Sequence, residues 1–289
     1  MHIKTIIRSF RLRTLPLSMS GIVLGSGMSY SLVEDKKYFF IVFCLAIITT
    51  LCLQILSNLS NELGDALKGT DADQRARAAY GMQAGEITAN QMKMLIGIFV
   101  ALSIIFGSAL VWYSFSTLVD WRALLFLCFG LLAILGAMTY TLGKHNYGYR
   151  GLGDLGVFLF FGLLSVMGSF YLQAKTMTVE VVVAAVAIAM PIVGVLNLNN
   201  IRDLDNDTAH GKRTFAGKLG KTGAKIYHSV LLVTCFALFV CLKRYYTLFV
   251  LPVMVWHLIY IYTHQESELD KQMPVLMFST IAIAFLACI

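Results

Sequence analysis

The residue types able to do chemistry are gathered in two stretches of this chain. One runs Asn199-Asn200-Ile201-Arg202-Asp203-Leu204-Asp205-Asn206-Asp207 and continues through His210-Gly211-Lys212-Arg213-Thr214. It leaves an apolar run, residues 179–198, that is long enough to cross a bilayer. Asp203 and Asp207 stand four apart, so one further helical turn would point both from the same face. Like charges at that spacing repel, and a purely structural helix end gains nothing from them. A divalent cation reverses that sign; without one, the stretch reads as a solvated acidic loop.

A second stretch of the same design favours the cation. Asn58-Leu59-Ser60-Asn61-Glu62-Leu63-Gly64-Asp65 leaves the apolar run 38–56, and Lys68, Asp71 and Asp73 follow. Asn61 and Asp65 are again four apart. Hard cations such as magnesium take oxygen ligands and keep substrate phosphates in their shell. Magnesium held by Asp65, Asp203 and Asp207 could therefore bind a diphosphate. Lys68, Arg202, Lys212, Arg213 and Arg11 or Arg13 would be available for its remaining charge, where membrane topology is their other reading. A third polar cluster holds Tyr140, Lys144, Tyr147, Tyr149, Arg150 and Asp154. Tyr140 and Lys144, four apart, could aim a phenol and an ammonium at the same group; interfacial tyrosines otherwise serve as aromatic-belt anchors.

The elements that position these residues must be membrane helices. The chain has 289 residues, 58% apolar and only 13% charged, with mean hydropathy +0.73. Soluble domains carry roughly 25% charged residues, so an all-α polytopic bundle forming a single unit over residues 1–289 is expected. Nine spans are predicted, near 15–33, 38–57, 94–113, 123–141, 154–173, 179–198, 226–242, 245–262 and 273–289. The basic leader (Lys4, Arg8, Arg11, Arg13) resembles that of a signal peptide, but the run after it is longer than a usual h-region and reads as a retained helix. With the N-terminus in the cytoplasm, 17 Lys and Arg fall on that side against six on the other. Both acidic stretches follow even-numbered spans and share the cytoplasmic face.

Several function classes drop out. Gly220-Lys221-Thr222 has the end of a P-loop, but Phe215 stands where its first glycine is needed and no strand precedes it. The basic pI of about 9.1 follows from topology and implies no nucleic acid. Six cysteines without a CxxC pair read as small buried hydrophobes. A cation-coupled transporter would place its carboxylates near mid-span, where this chain has almost none.

These motifs together resemble the UbiA-type intramembrane prenyltransferases: NxxxD with a trailing KGxD, YxxxK, and NNxRDxxxDxxxGKxT. Arg13-Thr14-Leu15-Pro16, Gln54-Ile55-Leu56-Ser57-Asn58-Leu59, Gly81-Met82-Gln83 and Gly148-Tyr149-Arg150-Gly151-Leu152-Gly153-Asp154 are similar to the branch that prenylates 1,4-dihydroxy-2-naphthoate in menaquinone synthesis. The resemblance spans nearly the whole chain, least over the last three helices. It implies that Asn61, Asp65, Asp71, Asp203 and Asp207 hold magnesium on a polyprenyl diphosphate. It further implies that Tyr140 and Lys144 contact the diphosphate and that Arg202 and Lys212 fall at basic positions of the second motif. Many relatives have Asp where this chain has Glu62, which makes Glu62 a poor candidate ligand. The expected setting is a bacterial cytoplasmic membrane. Acceptor choice between naphthoate and 4-hydroxybenzoate, haem or a chlorophyll precursor stays open, as does a general base, for which His145 and His210 are near enough.

Overall fold

The computed structural model describes residues 2–69, 81–82, 84–144 and 146–289. Asp71, Asp73, Gln83 and His145, named above, lie outside these described residues. A short helix α1 (Ile3–Ser9) and a 3-10 turn lead into α2 (Leu15–Ser29). Then follow α3 (Lys36–Lys68), α4 (Ala89–Phe115) and α5 (Trp121–Thr139). A fourth long segment is built from α6 (Gly153–Val157), a π-helical stretch (Phe158–Leu164) and α7 (Ser165–Ala174). After it come α8 (Val179–Arg202), the short α9 (Leu204–Ala209) and α10 (Phe215–Cys241). The chain closes with α11 (Leu251–Thr263) and α12 (Gln272–Leu286), each entered through a 3-10 turn.

Among the described residues, eight helical segments are long and apolar enough to cross a membrane. With α2, which has only 15 residues, they make the nine expected. The chain is a multi-pass membrane protein.

Helix starts follow local chemistry. Asp35 accepts from the amides of Lys37 and Tyr38 to open α3, and Thr88 with Gln91 forms a reciprocal capping box at α4. Thr178 and Thr214 accept from the amides of Val181 and Gly217 to cap α8 and α10. α3 ends at Gly69, whose φ of 72° belongs to the left-handed region that glycine tolerates.

Two boundaries differ from expectation. α3 has 33 residues, about 50 Å at the usual helical rise, against a hydrocarbon core of about 30 Å. Its last turns therefore stand proud of the apolar layer, and the stretch expected beyond the span is helix. α10 begins at Phe215 rather than near residue 226, and it kinks at Gly220, where φ is 71° and ψ 172°. The glycine that mimics a P-loop is a helix break.

Packing centres on α8, the most enclosed of the long helices, which meets α10, α12, α2 and the π-helical stretch. Its buried alanines, Gly194 and Val/Ile side chains join Leu232, Phe236 and Phe239 of α10 and Leu276 and Met277 of α12 in one core. A second core joins Leu56, Leu59 and Leu63 of α3 to Met92, Leu95 and Ile96 of α4. Large side chains such as Trp112, Leu124, Leu132, Val233 and Trp256 face outward, as lipid-facing residues should.

α2 and α7 approach closely because small residues line their seam, the usual solution where lipid removes the hydrophobic drive for helix association. A Cβ on Gly21 would fall 1.8 Å from Ser165 Oγ, and one on Gly25 would fall 2.2 Å from both Ser169 Oγ and the Val166 carbonyl oxygen. The carbonyl cannot rotate away. Gly25→Ala should destabilise the bundle by about 1–3 kcal/mol through overpacking. Gly97→Ala, on an α4 face with nothing within 4 Å, should be neutral or slightly stabilising. Thermal unfolding of both variants in detergent checks this; equal melting temperatures would contradict the close seam.

Candidate active site

One cavity of about 580 Å³ runs inside the bundle between α2, α3, α4, α5, the π-helical stretch and α8. At one end its wall carries Asn61 and Asp65 of α3, Asn199 and Asn200 of α8, Tyr140 and Lys212. Deeper, the wall is mostly apolar, with Phe126, Ile134, Phe160 and Ile192. Ile104 of α4 and Leu131 of α5 line the cavity and are also more than half exposed, so it reaches the lipid-facing surface between those helices.

The polar end is built by helix termini. α3 carries Asn61, Asp65 and Lys68 on its projecting turns. α8 ends at Arg202, Asp203 is the joint, and α9 presents Asp207 one turn later. The Lys212 amide returns to the Asp207 carbonyl at 2.9 Å, folding the ammonium back onto its own helix end. Lys212 Nζ donates to Asp207 Oδ1 at 3.3 Å and lies 3.2 Å from Oδ2, an oxygen that makes no hydrogen bond. Tyr149 donates its hydroxyl to Asp65 Oδ1 at 2.8 Å. Lys68 Nζ sits 3.6 Å from the centre of the Tyr149 ring and donates to the Thr141 carbonyl at 2.9 Å. Thr141 also donates to Asn61 Oδ1 at 3.2 Å.

Arg202 forms a second knot. Its guanidinium, 6% exposed, grips both carboxylate oxygens of Asp203 at 2.9 Å and also reaches Asn199 and Asp270. Arg13 meets the other oxygen of Asp270 at 3.2 Å. Asp270, in the turn before α12, thus draws cations from the turn before α2 and from the end of α8 to one point.

Burial and charge set the protonation states. Burial pushes Asp207 up to about 6, against the pull of Lys212 and with the repulsion of Asp203 and Asp65 added. Asp203 is also raised by burial, which outweighs its Arg202 partner. Burial opposes the charge on Lys212, but Asp207 and Asp65 together outweigh it and the ammonium is held above its usual range. Tyr140 is raised far above an ordinary phenol, first by burial and then by Asp154, Tyr147, Asp65 and Asp207, so it remains a donor.

Measured against the sequence-based candidates, the structure brings Asn61, Asp65, Tyr140 and Lys212 to one end of the cavity wall; Asp207 pairs with Lys212, Lys68 packs on the Tyr149 ring, and Arg202 pairs with Asp203. The Tyr140–Lys144 pair does not form. α5 ends at Thr139 and Gly143 turns the chain with φ of 85°, so spacing by four no longer means one face, and Lys144 is exposed and absent from the cavity wall. Arg150 is exposed and Arg13 faces Asp270 rather than the cavity. Glu62 is fully buried and accepts from the Met82 amide at 2.8 Å, which is a loop-holding role. His210 Nδ1 contacts the Asn206 carbonyl. Tyr149 and Asp270 were missed as site residues. Tyr149 carried only the generic signal of an interfacial aromatic, and Asp270 gave none.

The donors facing the mouth are amide, phenol and carboxylate oxygens, the hard set that magnesium takes. Asp207 Oδ2, buried and without a hydrogen bond, is an oxygen such an ion would satisfy, so the residues fit the group. In this arrangement each acid is held by a cation or a phenol, and among the described residues no three His, Cys, Asp or Glu side chains converge as a ready-made metal cluster.

Comparison with known proteins follows the same lines. The profile of the UbiA prenyltransferase family matches residues 15–286. The chain belongs to that family. Among UbiA relatives, the 1,4-dihydroxy-2-naphthoate octaprenyltransferase of Escherichia coli K12 is 43% identical over 81% of this chain and 75% of its own. The enzyme of that name from Haemophilus influenzae is 36% identical over 90% and 86%. Of solved structures, the apo UbiA homolog from Aeropyrum pernix K1 superposes with a TM-score of 0.68 at 17% identity, covering 93% of this chain and 97% of that one. The Archaeoglobus fulgidus UbiA homolog bound to GPP and Mg2+ gives 0.62 at 13% identity, over 98% and 99%. At these identities the structures establish the UbiA fold.

Asp270→Asn keeps the shape but removes the charge that Arg202 and Arg13 share. With Arg202 buried, the loss should cost about 1–3 kcal/mol of stability, read as a lower melting temperature. An unchanged melting temperature would mean that Asp203 and Asn199 hold Arg202 unaided.

Proposed function

We propose that the chain transfers a polyprenyl group from a polyprenyl diphosphate to 1,4-dihydroxy-2-naphthoate, with loss of carbon dioxide, as a step of menaquinone synthesis. The observation that carries this reading is the cavity itself. It joins an acid- and cation-lined mouth to an apolar interior and opens to lipid between α4 and α5. A diphosphate needs the first, an isoprenoid tail the last, and a carbocation-like transfer needs the dry middle. The naphthoate acceptor is supported by the relatives at 36% and 43% identity, both of them 1,4-dihydroxy-2-naphthoate octaprenyltransferases.

In this reading Asn61, Asp65, Asp203 and Asp207, with Asp71 from outside the described residues, hold magnesium. When bound, the ion neutralises the diphosphate and stabilises the charge that gathers on it as the allylic C–O bond breaks. The chain's own cations complete that work. Lys212 and Arg202, now on Asp207 and Asp203, exchange carboxylate for phosphate oxygens; Lys68 adds a point charge, and Tyr140 donates as a neutral phenol. Arg13, Arg150 and Lys144, which lie off the cavity wall, add positive charge that attracts the anion before it docks. The apolar wall around Phe160 and Ile192 excludes water that would otherwise capture the allyl cation before the electron-rich ring does. In this reading the chain lies in a bacterial inner membrane and the site opens to the cytoplasm, a side supported by the distribution of Lys and Arg.

Asp65→Ala and Asp203→Ala should each lower turnover by at least about a hundredfold while the protein still inserts. A membrane assay with a long-chain prenyl diphosphate, magnesium and either naphthoate or 4-hydroxybenzoate tests this, with EDTA as control. Near-normal turnover in either variant removes the metal assignment, and product from the benzoate alone moves the acceptor.

Asp207 sets the pH dependence. Because burial raises it to about 6, folding favours its protonated form. That contribution to stability is full below the unfolded carboxylate range and is lost as pH rises through about 6. Metal binding needs the ionised form, so its sign is opposite. At limiting magnesium, activity should fall as pH drops through about 6, and excess magnesium should move that limb to lower pH by competing with the proton. A limb that does not respond to magnesium would exclude Asp207 as the titrating ligand.

A further inference from the structure

Two histidines lie inside the bundle, away from the cavity. His228 of α10 and His257 of α11 are both 0% exposed, and their Nε2 atoms stand 3.0 Å apart. Polar rings at that depth are costly unless each nitrogen is met, and ionisable residues within membrane helices commonly mark function. Asn197 of α8 and Gln272, the first residue of α12, complete the set and are equally buried. None of the four lines the cavity, so any part they have in the reaction is played through other residues.

The Ala224 carbonyl sets the direction of their hydrogen bonds. It accepts from Asn197 Nδ2 at 3.0 Å, and turning that amide over would set oxygen against oxygen. Asn197 Nδ2 therefore also faces His228 Nδ1, at 3.5 Å, which makes that nitrogen an acceptor. His228 then carries its proton on Nε2 and donates it to His257 Nε2. His257 carries its own on Nδ1 and donates to Gln272 Oε1 at 2.8 Å. Every donor points the same way, from α8 through α10 and α11 to the start of α12.

The chain of bonds ends beside Asp270. Gln272 directly follows the 3-10 turn Glu266–Lys271, which carries that acid. Such turns are weakly held by their own hydrogen bonds, and this one is pinned from outside on both flanks. Before Asp270, Glu266 meets Lys225 of α10 at 3.2 Å, a partly exposed pair. After it, Gln272 is fixed by His257 in the buried core. Asp270 in turn holds Arg202 and Arg13 on its two carboxylate oxygens. In the proposed function, on which this inference rests, Arg202 turns to the diphosphate. We infer that Asn197, His228, His257 and Gln272 are positioning residues for that arginine: they set where Asp270 stands, and Asp270 sets where Arg202 waits.

The test is binding of an unreactive prenyl thiodiphosphate with magnesium, and separately of 1,4-dihydroxy-2-naphthoate, to the protein in lipid nanodiscs. Gln272→Met keeps the volume and removes the acceptor. It should weaken the thiodiphosphate about tenfold and leave the naphthoate within about twofold. Gln272→Glu returns an oxygen to the same place and should bind the thiodiphosphate as the wild-type protein does. With Asp270→Asn already present, Gln272→Met should add nothing, because the residue through which it acts has lost its charge. Equal weakening of both ligands means a general loosening of the bundle and overturns the inference. A loss that persists in full beside Asp270→Asn overturns it too, as does a Gln272→Met protein that binds like the wild type. Should Gln272→Met not fold, Gln272→Asn takes its place, since one methylene less withdraws the oxygen from His257. Failure of the proposed function gives a different result: the wild-type protein would bind no thiodiphosphate. Melting temperatures of the same variants then decide, non-additive losses from Gln272→Met and Asp270→Asn supporting the link between them and additive losses overturning it.

Discussion

Opposite charges are buried together where α3, α8 and α9 end, and the shape of the bundle at that end depends on their staying paired. The side chains of Asp207, Lys212, Asp203 and Arg202 are 3%, 11%, 12% and 6% exposed. Charges so enclosed are costly to leave alone, so each must find its partner as the chain folds. Asp203 and Asp207 find their cations one and five residues away, but Asp65 and Arg202 also hold distant partners. Tyr149 lies 84 residues from Asp65, and Asp270 lies 68 from Arg202. Closing these contacts fixes where the two acidic helix ends stand relative to each other, although hydrophobic packing alone would tolerate small slides between helices.

In the proposed function, a metal–diphosphate complex would meet acids already paired with cations. Binding would then be an exchange, in which Asp203 and Asp207 would hold the metal and Arg202 and Lys212 would turn to phosphate oxygens. The desolvation penalty of the acids is met before any ligand comes. Asp207 Oδ2 is the visible remainder of that arrangement, an oxygen beside Lys212 without an aligned hydrogen bond.

The sequence exposed some of this and concealed the rest for physical reasons. Membrane class, the number of long helical segments and both acidic stretches were legible because composition and four-residue spacing are local signals. The length of α3 was not, since its polar turns have the look of a loop once the apolar run ends, yet the helix continues because α4 and the loop carrying Met82 pack on Leu59, Leu63 and Glu62. Lys144 shows the converse failure: spacing by four was read as a helical face across a glycine that turns the chain. Tyr149 and Asp270 were invisible because their roles come from partners more than sixty residues away.

The bundle is unevenly tight, and this bears on how long-chain substrates can come and go. α8 is largely enclosed, and α2 and α7 meet across Gly21, Gly25, Ser165 and Ser169 with no room for another carbon. α5 is the least enclosed of the long helices, and Gly130 on it has nothing within 4 Å of where a Cβ would stand. Asp203, Arg202 and Asp207 therefore hang from the enclosed side, whereas the lipid opening at Ile104 and Leu131 belongs to the exposed one. An isoprenoid tail entering between α4 and α5 would not meet the ion pairs at the end of α8. Had the opening lain along the α2–α7 seam, every passage would have had to part backbones already in contact.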